Sequence, residues 1–277
     1  MTTHRRKYDL IILGDTTEGI AAAFAAAKMS LHVALVAESK PNQHSPVLAT
    51  LFHQKLALEG IDTYHEDGYF LNSNIVVAGE HLLHAEKIII ATGTISHRPA
   101  SFSFDGKQVI DIDEALTMKT LPSTMVIAGD DCFGIAAANQ LAKRGVDVTL
   151  IALECPQDLS ANITFKQGEA IGTETTTESH VKIQLANGEE ITAEMIVVNA
   201  GRLGKTDSLN LAAADLMADD CGRLWCNSDY QTWEPSIYGL GDVAGLWDKQ
   251  DDLQTVIQQI LTTDENEVVS RQLLAVS

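Results

Sequence analysis

The stretch that decides the fold spans residues 8–38 and reads YDLIILGDTTEGIAAAFAAAKMSLHVALVAE. Its apolar run at 8–13 has the length and composition of a buried parallel strand. The turn at 14–19 follows, and after it come an alanine-rich helix at 20–28 and a second strand at 32–36. This order predicts a βαβ unit of the kind that opens dinucleotide-binding domains.

A second stretch, residues 124–151, repeats this order of elements. A strand leads into the turn at 129–134, and a helix and another strand follow. In each stretch two turn glycines lie five residues apart, at Gly14 and Gly19 and at Gly129 and Gly134. The repetition predicts two Rossmann-like domains, one for each of two cofactors.

Both turns depart from the pattern G-x-G-x-x-G, whose middle glycine lets backbone N–H groups approach a pyrophosphate. That position holds Thr16 in the first turn and Asp131 in the second. Thr16 crowds the approach, although its hydroxyl is able to bond a phosphate itself. Asp131 is either a charge that repels the pyrophosphate or, like Asp130, a cap for its own helix. Asp15 and Glu18 are candidates for the same capping role at the first helix.

The chain has a net charge of −19, from 38 acidic and 19 basic residues. This excess argues against nucleic acid and anionic membranes as partners, because phosphate groups are repelled. It leaves two interpretations, a solvated acidic surface or an acidic face that binds a basic protein. No apolar run reaches the roughly 18 residues of a membrane span. Four scattered cysteines are typical of reduced thiols, so we expect a cytoplasmic protein.

Taken together, these motifs resemble those of the pyridine nucleotide–disulfide oxidoreductases, a flavoprotein family with two dinucleotide-binding domains. Besides the two turns, the resemblance is carried by Ile90-Ala91-Thr92-Gly93, Arg98-Pro99, Ala200-Gly201-Arg202 and Gly241-Asp242. It implies an α/β fold in which residues 1–115 and 233–277 form an FAD-type domain. Residues 116–232 would form an NAD(P)-type domain.

The resemblance also implies which residues hold the cofactors. FAD would lie across the first domain, on Gly14, Thr16, Gly19, Glu38, Ala91, Thr92, Gly93, Gly241 and Asp242. NAD(P)H would dock on the second domain, at Gly129, Gly134 and Gly201. No protein residue is implied as catalytic, since hydride passes directly between nicotinamide and flavin.

Departures from the family pattern lower the expected affinity for both cofactors. Ala37 stands where the family places an acid on the adenosine ribose. Glu38 comes one residue late, which turns its side chain to the other face of a strand. Ala152 leaves the matching position of the second domain without an acid. We therefore expect weak or partial binding of FAD and little binding of NAD(P)H.

The family's redox-active C-x4-C and its C-terminal interface domain have no counterpart in the sequence. No cysteine lies within 39–60, and the chain ends soon after the helix that follows Gly241-Asp242. Cys221 and Cys226 have the redox spacing, but they lie in an extended segment of the wrong domain, beyond disulfide reach. Two functions remain open: hydride transfer through flavin without a disulfide, and an inactive relative that uses the fold for binding or assembly.

Overall fold

The computed structural model of the protein describes residues 4–37, 54–129, 131–175, 180–245 and 252–262. Contacts divide the chain into two compact units. Met1–Thr94 and Gly204–Ser277 form the first unit, and Ile95–Leu203 form the second.

The strands of the described residues are, in chain order, β1 His4–Leu13, β2 Val33–Val36, β3 Asp62–Tyr64, β4 Gly68–Asn72, β5 Ile75–Ala78, β6 His81–Ile90, β7 Thr94–Ser96, β8 Val109–Asp111, β9 Thr124–Ala128, β10 Asp147–Ala152, β11 Thr164–Gln167, β12 Ala170–Thr175, β13 Val181–Leu185, β14 Glu190–Ala193, β15 Met195–Val198, β16 Arg202–Gly204 and β17 Ile237–Gly239. The α-helices are α1 Thr17–Lys28, α2 Ile112–Thr117, α3 Cys132–Lys143 and α4 Leu253–Thr262, and residues 54–58 are also helical. Short 3-10 helices cover Asp207–Leu209, Leu211–Ala214 and Gly241–Ala244.

The first unit is built on a sheet whose parallel part has the order β3-β2-β1-β6-β17. The first half of β6 also pairs antiparallel with β5, which pairs with β4. Residues 10–13 of β1 are all buried, because apolar clusters cover both faces of the sheet. The buried positions of α1 are Gly19, Ala22, Ala23 and Ala26, and these small side chains let the helix lie close to the strands.

The second unit contains a parallel sheet in the order β11-β10-β9-β15-β8. Helix α3 packs Ala137, Ala138 and Leu141 into the cluster on one face of this sheet. An antiparallel meander, β12-β13-β14, covers the other face, with Val181, Ile183 and Leu185 in the core. Asn187-Gly188 forms the turn of the hairpin between β13 and β14.

The chain passes between the units earlier than the sequence indicated, since the divisions fall after residues 94 and 203 and not after 115 and 232. Strand β8 lies within residues that the sequence assigned to the first domain, yet it pairs with β15 of the second sheet. Residues 204–232 were assigned to the second domain, but Leu209 and Leu211 join the core of the first unit. Contacts between residues far apart in the sequence set both unit boundaries, and the local sequence pattern does not reveal such contacts.

No helix within the described ranges is long and apolar enough to cross a membrane.

Candidate functional site

The two central strands of the first sheet, β1 and β6, end side by side at Gly14 and Ala91. Gly14 has a φ of +108°, and a Cβ there would lie 2.3 Å from the Ala91 carbonyl oxygen. A Cβ on Gly19 would lie 2.6 Å from the Gly14 carbonyl oxygen. Glycine is therefore required at both positions by backbone packing alone, whether or not a ligand is bound.

Helix α1 begins in this turn, and one long side-chain hydrogen bond caps its N-terminus. Thr16 Oγ1 accepts a hydrogen bond of 3.3 Å from the Gly19 N–H. Among the described residues, no side chain accepts from the N–H groups of Thr17 and Glu18. First-turn N–H groups and the helix dipole favour a bound anion. The turn therefore keeps two backbone donors that a phosphate can use.

Glu18 reaches across the carboxyl edge of the first sheet. Its Cγ, Cδ and Oε2 atoms lie 3.2 Å from the place that a Cβ on Gly241 would take. Gly241 follows β17 with a φ of +77°, and the next residue, Asp242, is exposed. The prediction that Asp15 or Glu18 caps α1 is wrong, because Thr16 is the N-cap residue.

A solvent-open cleft lies at the carboxyl ends of β1 and β2. Ligands of parallel α/β sheets bind at this end of the strands. Of the described residues, the charged ones that line it are three acids and one base, Asp15, Glu66, Asp67 and Lys205. Thr92 and Ala37 also line the cleft. The Thr92 Oγ1 atom is buried without a hydrogen-bond partner.

These residues fit an FAD molecule in part. The open helix N-terminus, the unpartnered Thr92 hydroxyl and the exposed Asp242 carboxylate are polar groups that a flavin dinucleotide can satisfy. Ala37 offers no acceptor to a ribose, and the acidic lining opposes a pyrophosphate. The Thr16 methyl lies 2.9 Å from the place of a Cβ on Gly93 and fills part of the turn.

The corresponding turn of the second unit is closed by its own side chains. Asp131 Oδ1 accepts hydrogen bonds of 2.9 Å from the N–H groups of both Phe133 and Gly134. The same oxygen accepts from Asn199 Nδ2 at 2.6 Å. The capping interpretation of Asp131 is therefore correct, and two first-turn N–H groups of α3 already have an acceptor. The residues of this turn do not fit a dinucleotide pyrophosphate.

Asn199, which the sequence did not single out, packs into the middle of this second turn. It is 6% exposed, and its Nδ2 lies 2.6 Å from the place of a Cβ on Gly134. A Cβ on Gly129 would lie 2.0 Å from the Asn199 carbonyl oxygen. Its position one residue after the buried strand β15 was the available signal.

Arg202 connects this closed turn to helix α2. Its guanidinium lies 5.4 Å from the centre of the Phe133 ring and 2.9 Å from the Asp113 carboxylate. Partial burial alone raises the pKa of Asp113, but hydrogen bonds from Arg202 and Ser96 outweigh it and lower that pKa below its usual value. The charge of Arg202 is thus paired within the second unit.

The four cysteines are all free. Cys226 packs beside Gly239, and burial raises the pKa of its thiol to about 11. A thiol with so high a pKa is a poor nucleophile. No group of three or more His, Cys, Asp or Glu side chains in the described part of the chain is arranged to hold a metal ion.

The candidate residues of the two domains therefore fall at two separate turns. Gly14, Thr16, Gly19, Ala91, Thr92, Gly93, Gly241 and Asp242 lie at the carboxyl edge of the first sheet. Gly129, Gly134 and Gly201 lie at the carboxyl edge of the second. Gly201 has a φ of +86° with open space around it. Glu38 lies outside the described residues, so its predicted role stays a prediction.

Two parallel sheets, each entered by a strand–turn–helix unit with a glycine turn, define the class of two-domain dinucleotide-binding proteins. The predicted fold class is confirmed. Residues 8–263 match the pyridine nucleotide-disulphide oxidoreductase family, and the chain belongs to it.

Two soluble pyridine nucleotide transhydrogenases illustrate the similarity. The Mycobacterium bovis (strain BCG / Pasteur 1173P2) protein is 36% identical over 174 residues, covering 57% of this chain and 37% of that protein. The Marinomonas sp. (strain MWYL1) protein is 30% identical over 205 residues, covering 67% of this chain and 44% of that protein. The chain thus spans about two fifths of the length of these curated relatives.

Solved structures of the HOCl-induced flavoprotein disulfide reductase RclA from Escherichia coli share the fold. The TM-score is 0.74 at 18% identity, with 91% of this chain and 69% of that chain covered. For the Cu(II) complex of the same reductase the TM-score is 0.74 at 18% identity, with 92% of this chain and 69% of that chain covered.

Proposed function

We propose that this chain is a flavin-binding oxidoreductase of its family that holds FAD weakly in its first unit and uses no redox disulfide. The observation that carries the proposal is the difference between its two helix N-termini. Thr16 leaves the Thr17 and Glu18 N–H groups of α1 available, whereas the Asp131 carboxylate occupies the Phe133 and Gly134 N–H groups of α3. An anion-bearing cofactor therefore meets more available donors in the first unit, and at the second turn it also meets the charge of Asp131.

The residues that would hold FAD lie on one edge of the first sheet. The Thr17 and Glu18 N–H groups would meet the pyrophosphate, and the Asp242 carboxylate would accept from ribityl hydroxyls. The Thr92 hydroxyl, buried without a partner, would gain one. Bound flavin supplies two-electron hydride chemistry, which requires no protein disulfide.

NADH and NADPH are weak ligands in this proposal. At about 4 Å a carboxylate and a pyrophosphate charge repel by roughly 4 kcal/mol at an effective dielectric of about 20, and by less where water reaches the pair. Ala152 adds no acceptor for a ribose hydroxyl. The similarity to transhydrogenases supports hydride transfer through flavin as the reaction class, with a nicotinamide donor that binds poorly.

A second candidate function is an inactive relative that uses the fold as a binding or assembly module. The Asp131–Asn199 hydrogen bond favours it, because the second turn is stable without any cofactor. The net charge of −19 would suit a basic protein partner. Both candidates include a cytoplasmic location, which the four free thiols support.

Flavin titration separates the two candidates. The native protein and Asp242→Ala are each titrated with FAD, and the quenching of flavin fluorescence is followed. Saturable binding by the native protein that is lost in Asp242→Ala supports the flavin-binding function. If the folded native protein shows no saturable binding at excess FAD, the binding-module candidate replaces it.

A further inference from the structure

Two features of the position of Glu18 bear on ligand selection in the first unit. It lies in the first turn of α1, beside the backbone donors that remain available there. Its carboxyl group lies against Gly241, at the edge where β17 ends. We propose that Glu18 is a specificity-determining residue that selects against phosphate-bearing flavins by charge. This inference rests on the proposed FAD site.

The side chain of Glu18 lies beside Gly241. Glu18 Cγ, Cδ and Oε2 are each 3.2 Å from the position of a Cβ on Gly241, so a side chain there would press on the glutamate and displace it by a few tenths of an ångström. Gly241 also has a φ of +77°, which a larger residue adopts with strain. Glycine at this position leaves space for the glutamate, and the carboxylate lies beside the loop that leads to Asp242.

The charge of Glu18 is not neutralised by a basic side chain. Among the described residues, no Lys, Arg or His forms an ion pair with it. A phosphate at the Thr17 and Glu18 N–H groups would lie within about one helical turn, roughly 5 Å, of this carboxylate. Like charges at that separation repel, and the low water content of a filled cleft strengthens the effect.

A flavin without phosphate does not meet this repulsion. Riboflavin carries the same ring and ribityl chain as FAD but lacks its pyrophosphate and adenosine, so it is an uncharged ligand for the flavin part of the site. If Glu18 acts by charge, its removal changes the affinity for FAD and leaves the affinity for riboflavin unchanged. If Glu18 instead accepts a hydrogen bond from a ribityl hydroxyl, its removal weakens both ligands.

Glu80 provides a matched control, because it is an exposed glutamate of the same unit at the opposite end of β6. Ten strand residues separate the two ends, about 30 Å. Native protein, Glu18→Gln and Glu80→Gln are titrated with FAD and with riboflavin at low and high salt. We expect Glu18→Gln to bind FAD about tenfold more tightly than native protein, with Glu80→Gln and all riboflavin affinities unchanged within about twofold. Added salt should tighten FAD binding to native protein more than to Glu18→Gln.

Three results would overturn the inference. The first is an unchanged affinity for FAD in Glu18→Gln when native protein binds FAD. The second is an equal gain in affinity for riboflavin, which would indicate that Glu18 acts by crowding. The third is a loss of affinity for both flavins. Absence of FAD and riboflavin binding in all three proteins would instead overturn the proposed function on which the inference rests. Glu18→Ala, which also removes the contact with Gly241, repeats the test without the amide of glutamine.

Discussion

Asn199 Nδ2 donates a 2.6 Å hydrogen bond to Asp131 Oδ1, and the same oxygen accepts from the N–H groups of Phe133 and Gly134. One carboxylate oxygen thus takes three donors at the place where a dinucleotide domain receives a pyrophosphate. The amide orients the carboxylate toward the helix N-terminus. The anion that meets this helix N-terminus is therefore the side chain of Asp131.

Asp131→Gly is expected to raise the affinity for NADH by at least about tenfold, because it removes the charge and frees both N–H groups. Asp131→Asn keeps a capping oxygen and removes only the charge, so it separates the two effects. Calorimetric titration with NADH and NADPH measures both variants. Micromolar binding by the native protein would contradict the prediction. The glycine variant should also lose roughly 1–3 kcal/mol of stability, because the buried Asn199 amide loses its acceptor and the helix loses its cap.

The sequence predicted the elements around these turns well. Strand β9 was predicted at its observed bounds, and the predicted starts of both helices fell three residues late. The start of α1 was missed because Thr16 acts as its cap, a role that its position in a glycine pattern conceals. The contact of Glu18 with Gly241 was not predictable, since more than 200 residues separate them along the chain.

Asp113 is expected to make folding stability depend on pH in the acid range. Its pKa is lowered in the folded protein, so its contribution is present above the unfolded pKa of about 3.9 and is lost as the pH falls through the folded value. Asp113→Asn should cost about 0.5–1 kcal/mol at neutral pH, a small value because the carboxylate is half exposed. Urea denaturation from neutral pH to pH values near 3 should show the difference from native protein shrinking. Asp147→Asn, an exposed carboxylate of the same unit, should show no such trend.

The thiols are expected to be reduced and, at Cys226, slow to react. Titration of the unfolded protein should give four thiols before and after a mild reductant. In the folded protein, the pKa of about 11 keeps Cys226 protonated at pH values where the exposed Cys132 and Cys155 are alkylated. Peptide mapping after alkylation with iodoacetamide measures the order in which the cysteines react. A gain of two thiols on reduction would show that Cys221 and Cys226 form a disulfide.

Two positions weaken the adenosine end of the proposed FAD site. The Thr16 methyl occupies space beside Gly93, and Ala37, at the end of β2, presents no carboxylate to the cleft. The Ala37 backbone N–H donates to the Tyr64 carbonyl oxygen at 3.0 Å, so its position is fixed by the sheet. A longer side chain at this position would therefore start from a fixed point on the lining of the cleft.

Thr16→Gly combined with Ala37→Glu is expected to raise the FAD content of the purified protein. A ribose hydrogen bond to a carboxylate contributes roughly 1.5–3 kcal/mol, and relief of crowding about 1–2 kcal/mol. Together these amount to about two to four decades of affinity, which is the difference between a cofactor lost and one retained during purification. Ala37→Gln in place of Ala37→Glu tests whether the side chain that accepts from the ribose must be charged. If the double variant is folded and still takes up no flavin from excess FAD, the first unit cannot be a weakened flavin site, and the binding-module function is the one that remains.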